Sequence, residues 1–92
     1  MSVFDWSNEK NEWLKTNRGV CFEQVVILFE REDVLDILEH PNQETYPGQK
    51  IAIVRISDYA YLVPFLEEGD TIFLKTIIPS RKMNRHYNRG EQ

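Results

Sequence analysis

The hydrophobic periodicity of this chain changes once, near Val34, and that change limits the folds open to it. Upstream, Phe22, Val25, Val26 and Phe29 recur at helical spacing; downstream, apolar residues alternate with period two. Ser7 is placed to cap a first helix over about 8–17, and Gly19 supplies a left-handed stop. A second helix follows over 22–32, with Cys21 at its start. Strands are expected at 34–39, 50–57, 60–67 and 70–78, separated by turn-rich segments such as His40-Pro41-Asn42 and Tyr46-Pro47-Gly48. Pro79 ends the last strand and Ser80 caps a final helix over 81–88, with room for a short strand at 3–6 before the first helix. The expected fold is therefore α+β: two N-terminal helices packed on one face of a four-stranded antiparallel sheet, with a C-terminal helix near its edge.

Ninety-two residues allow one domain, 1–92, and one core. That core is expected to contain Trp13, Leu14, Phe22, Val25, Val26, Phe29, Val54, Val63, Phe65, Ile72 and Leu74. A single cysteine, Cys21, excludes an internal disulfide, and the two histidines lack zinc-ligand spacing, so no metal or cofactor is expected and a reducing compartment suits the chain. Without a membrane-length apolar run or a signal-peptide pattern at Met1–Asp5, the expected location is the cytoplasm.

Charge is distributed unevenly. Residues 1–70 carry six Lys/Arg against fourteen Asp/Glu, a balance of −8, whereas residues 71–92 carry five against Glu91 alone, a balance of +4. A basic end on an acidic body points to an anionic partner bound locally. If the hairpins centre on Asp58-Tyr59 and Glu68-Gly69, Arg55, Leu62 and Lys75 align on one sheet face. Ile51, Ile53, Leu66, Phe73 and Ile77 share that face, while Ile78 joins the core face. A half-apolar, half-basic face needs a cover or a partner.

Phosphate-binding glycine loops, nucleophile elbows and zinc-protease motifs are missing from the sequence. What remains is a set of cations with His86 and Tyr87 on the last helix. Such a set can cleave RNA without metal, because the ribose 2′-hydroxyl is an internal nucleophile needing a proton acceptor, an acid for the leaving oxygen and cations at phosphorus. Arg81, Lys82 and Arg85 are the candidate phosphate-binding and charge-stabilising group, with Arg81 and Arg85 one turn apart. Lys50, Arg55, Lys75 and His86 are candidate RNA contacts. Tyr87, His86 or a lysine of lowered pKa remain open as general base. From the residues alone, a helix that merely binds an acidic protein surface competes with the ribonuclease.

Three segments carry a resemblance. Phe4-Asp5-Trp6-Ser7-Asn8-Glu9-Lys10, Gly19-Val20-Cys21-Phe22-Glu23 and Ile77-Ile78-Pro79-Ser80-Arg81-Lys82 resemble the Trp-to-Lys opening, the Gly-Val-Ser-Phe-Glu segment and the Ile-Ile-Ser-Ala-Arg-Lys segment of BrnT-type toxins. The resemblance implies a RelE-like ribonuclease fold and a bacterial type II toxin that inhibits translation. It also implies a cognate antitoxin, of ribbon-helix-helix type, through which alone operator DNA would be bound. Arg81 and Lys82 match the family pattern, and Lys50 falls where the family often has Arg. Thr76 stands at the family's last-strand Arg, Tyr87 at its last-helix Glu, and Cys21 at its usual Ser.

Overall fold

The computed structural model describes residues 2–88. In chain order the elements are β1 (Val3–Asp5), α1 (Asn8–Arg18), α2 (Phe22–Glu30), β2 (Asp36–Glu39), β3 (Lys50–Ile56), β4 (Tyr59–Glu68), β5 (Thr71–Leu74), β6 (Ile78–Pro79) and α3 (Arg81–Asn88). The fold is α+β. Its sheet is mixed and six-stranded rather than four-stranded and antiparallel, in the order β1-β5-β4-β3-β2, with β6 on the other half of β4. The sixth strand and the parallel pair arise at the ends. β1 lies along the outer edge of β5 in parallel register, Phe4 beside Ile72, and the Val3 amide donates to the Asp70 carbonyl at 2.8 Å.

Local chemistry explains the helices. Ser7 is extended (φ −81°, ψ 122°) and its Oγ accepts from the Lys10 amide, while Gly19 takes φ +67° to end α1. Asn11 then joins α1 to α2. It is buried, its Oδ1 accepts from the Phe22 amide at 2.8 Å, and its Nδ2 donates to Glu23 at 2.8 Å, so it satisfies a free donor of the next helix's first turn. Cys21, the N-cap of α2, is half-buried and donates its amide to Gln24 Oε1 at 3.0 Å.

Leu14, Phe22 and Val25 from the helices meet Ala52, Val54, Val63, Phe65, Ile72 and Leu74 from the sheet in the core. Val26 and Phe29 pack against it in part, and Phe29 stands edge-on to Phe65 with centroids 5.6 Å apart. Trp13 does not belong to the core, contrary to its apolar character: it is 43 % exposed. The buried stripe of α1 falls on Asn11 and Leu14, which leaves Trp13 outside, between Lys10 Nζ at 4.3 Å and the Arg18 guanidinium at 4.9 Å from its ring.

Turn chemistry sets a register two residues away from the one expected. Ser57 and Asp58 both take positive φ (52° and 65°), the signature of a two-residue type I′ hairpin loop, so Ile56 pairs with Tyr59 and Arg55 with Ala60. Gly69 and Asp70 form the next loop, closing Glu68 on Thr71, and the Lys75 amide donates to the Pro64 carbonyl at 2.8 Å. Arg55 and Lys75 therefore lie opposite β4 positions four residues apart, about 13 Å along the strand, instead of flanking Leu62.

Beyond Lys75 the pairing slips by one residue. Phe73 faces Leu66, yet Ile78 faces Leu62, which leaves one extra residue on the returning strand. An odd-residue slip exchanges the sheet faces. Ile77 accordingly turns into the core with no exposure, and Ile78 turns outward at 38 %, the reverse of strict alternation over 70–78. Arg18 locks the slip by donating to the Ile77 carbonyl at 2.6 Å. None of the helices among the described residues is long and apolar enough to cross a membrane.

Candidate functional site

The C-terminal helix lies over the sheet face opposite α1 and α2, not merely near an edge. Ser80 sets its start: its amide donates to the Ala60 carbonyl at 3.0 Å and its Oγ accepts from the Met83 amide at 3.1 Å. One turn later Asn84 Oδ1 accepts from the Ala60 amide at 3.1 Å. At the far end Arg55 Nη2 donates to the Tyr87 carbonyl at 3.1 Å, satisfying a last-turn acceptor with a cation. These ties hold α3 over β4 and β3, and Ile53, expected to be exposed on this face, is only 1 % accessible.

Between α3 and edge strand β2 runs a groove of about 410 Å³. Leu38, Ile53 and Met83 supply its apolar lining; Lys82, Arg85 and His86 line it from one face of α3 at i, i+3 and i+4. Asp36 and Tyr87 complete it, with the Tyr87 hydroxyl donating to Asp36 Oδ2 over a long 3.5 Å. Among the described residues, Lys82, Arg85 and His86 form no ion pair. The charges of Lys82 and Arg85 are directed at the groove and at solvent, opposed in the groove lining by Asp36.

Partial burial holds the Tyr87 phenol above its ordinary pKa, and the nearby Asp36 charge and the hydrogen bond to it act in the same direction. Near neutrality Tyr87 is thus a proton donor and a poor base. His86 meets Tyr87 edge-on, with 4.9 Å between the ring centroids.

The structure brings together Lys82, Arg85, His86 and Tyr87 from the candidate set and separates the others. Arg81 is exposed on the first turn of α3 and does not line the groove. Arg55 faces α3 as the tie to Tyr87, so its half-buried guanidinium holds the helix that carries the site. Lys50 pairs with Glu67 at 3.3 Å. Lys75 lies in a separate open depression with Asp5, Glu68 and Phe73, its Nζ 5.6 Å from the Phe73 ring. Thr76 Oγ1 is buried and has no hydrogen-bond partner among the described residues.

Asp36 and Leu38 are groove residues that sequence reasoning missed. Their signal was the alternation of β2 itself, in which Asp36 pairs with Ile53 and shares its face; only the placement of α3 over that face makes it significant. Comparison with family models, curated proteins and solved structures finds no match to the chain.

Proposed function

We propose that this chain is a metal-independent endoribonuclease, the toxin of a bacterial type II toxin–antitoxin pair with a RelE-like fold, and that RNA is cut in the groove between α3 and β2. The observation that carries the reading is the convergence of Lys82, Arg85, His86 and Tyr87, four of the residues singled out by sequence, on one groove whose cations form no ion pair among the described residues. Lys82 and Arg85 bind the scissile phosphate and stabilise the charge that grows on its oxygens, with the planar guanidinium spanning two of them. His86 removes the 2′-hydroxyl proton. The alkoxide attacks phosphorus and the bond to the 5′-oxygen breaks, leaving a 2′,3′-cyclic phosphate. Tyr87, kept protonated by partial burial beside Asp36, gives its proton to the departing 5′-oxygen.

The resemblance to BrnT-type toxins supports the biological setting: translation is inhibited, and a cognate ribbon-helix-helix antitoxin covers the basic helix and brings the pair to operator DNA. Expression of the chain alone arrests growth on this account, and co-expression of the adjacent small gene relieves the arrest. Harmless high-level expression of folded protein overturns the toxin reading.

A second reading has its own observation. Leu38 remains 39 % exposed beside Lys82 and Arg85, which form no ion pair among the described residues, a combination that also fits an acidic amphipathic protein segment. In that case the groove is a non-enzymatic docking site, and purified protein binds its partner without cutting RNA.

A further inference from the structure

We propose that the α3–β2 groove holds one whole nucleotide, with Asp36 reading the base and Lys82 and Arg85 holding its phosphate, and that the preferred base is guanine. The proposal rests on the ribonuclease reading for its biological meaning, but its argument is the composition of the groove. A volume of about 410 Å³ lies within the roughly 300–1,000 Å³ range of small-ligand sites. The lining is divided by chemistry. Leu38, Ile53 and Met83 offer an apolar surface for a flat ring, Lys82 and Arg85 offer donors and positive charge, and Asp36 is the one carboxylate among the described residues of the lining.

A carboxylate in such a place selects by donor pattern. Asp36 Oδ1 accepts from the Ile37 amide at 2.8 Å, which fixes the side chain, and among the described residues Oδ2 has only the 3.5 Å approach of Tyr87. Each ionised oxygen has two acceptor positions, so both retain room for an incoming N–H. Guanine presents two adjacent donors, its ring N1–H and its exocyclic amino group, matching the two oxygens of one carboxylate. Adenine and cytosine each offer an amino group next to a ring acceptor, and uracil offers one imide N–H between two carbonyls; in all three the adjacent acceptor repels the carboxylate. A carboxylate covered by a base that matches it so poorly loses water without replacement, and that loss turns a contact into discrimination.

The test is calorimetric titration of the full chain with 3′-GMP, 3′-AMP, 3′-CMP and 3′-UMP, repeated with Asp36→Asn, Lys82→Ala and Arg85→Ala, alongside cleavage of RNA tetranucleotides differing at one base. The amide introduced by Asp36→Asn retains an acceptor oxygen for the Ile37 N–H, so the local fold is preserved. The expected result is 3′-GMP bound about 10- to 100-fold more tightly than 3′-UMP, the scale set by one good bidentate base contact. Asp36→Asn removes most of that preference with little change for 3′-UMP, while the two cation variants weaken all four nucleotides alike. Equal affinities in the wild type, no measurable nucleotide binding, or an Asp36→Asn variant that keeps the guanine preference overturns the proposal. RNA cleavage without base preference overturns it while sparing the ribonuclease reading. Selective 3′-GMP binding without cleavage supports the base-reading role and removes the catalytic reading instead.

Discussion

Arg55, near the hairpin end of β3, donates from Nη2 to the backbone carbonyl of Tyr87 at 3.1 Å, and so ties the last turn of the basic helix to that strand. A sequence reading that treats Arg55 as an RNA contact misses this, because a cation on a strand declares neither its partner nor its depth. The helix it holds carries Lys82, Arg85 and His86 on the groove side, which makes Arg55 a determinant of where those side chains stand.

Arg55→Ala therefore loosens α3 without unfolding the sheet. A charged hydrogen bond of this kind is worth about 1.5–3 kcal/mol. Amide hydrogen exchange should accelerate in 83–88 by a factor of ten or more while β3 and β4 keep their protection. Unchanged protection in α3 contradicts the role.

Asn11 links the two N-terminal helices through the Phe22 amide and Glu23. Asn11→Ala strands a buried donor and should cost about 1–3 kcal/mol in urea unfolding. Leucine at this position fills the volume but leaves the same amide unmatched, so it should not recover the loss.

Glu23 has its carboxyl pKa lowered, chiefly by the hydrogen bond from Asn11 and further by backbone hydrogen bonding. A depressed folded-state pKa contributes stability above the unfolded-state value, and that contribution disappears as pH falls through the folded-state value. Stability should thus decline on acidification through the carboxylate range with a component that Glu23→Gln abolishes. Identical pH profiles for wild type and variant would contradict the linkage.

The one-residue slip after Lys75 predicts an unequal pair of substitutions. Ile77→Ala empties a fully buried site and should cost about 2–5 kcal/mol, whereas Ile78→Ala, at an exposed position, should cost less than about 1 kcal/mol. Strict alternation predicts the opposite order. Chemical denaturation of the two variants decides between them.

The helices are legible in the sequence because their signals are local. Ser7, Gly19 and the spacing of Phe22 and Val25 each act within a turn of chain, and the boundaries of α1 and α3 follow them closely. Pairing is harder to read. The positive φ of Ser57 and Asp58 belongs to residues less typical of a type I′ loop than Asn-Gly, so the hairpin centre shifts by one and the register by two. The slip that exchanges Ile77 with Ile78 has no local sequence mark at all; it is stabilised from a distance by Arg18. On the site, the basic face of α3 can be read from residues 81–88, but Asp36 cannot, since its membership depends on which sheet face α3 covers.

The most direct test of the groove's chemistry is the cleavage rate of a single-stranded RNA by purified protein in excess EDTA, with the 2′-deoxy analogue as control. On this account wild type cuts the RNA to 2′,3′-cyclic phosphate ends and spares the deoxy strand, and Arg85→Ala slows cleavage about 100- to 1,000-fold while the circular dichroism stays unchanged. An inert wild-type protein, or a folded Arg85→Ala variant that cuts at the wild-type rate, contradicts it.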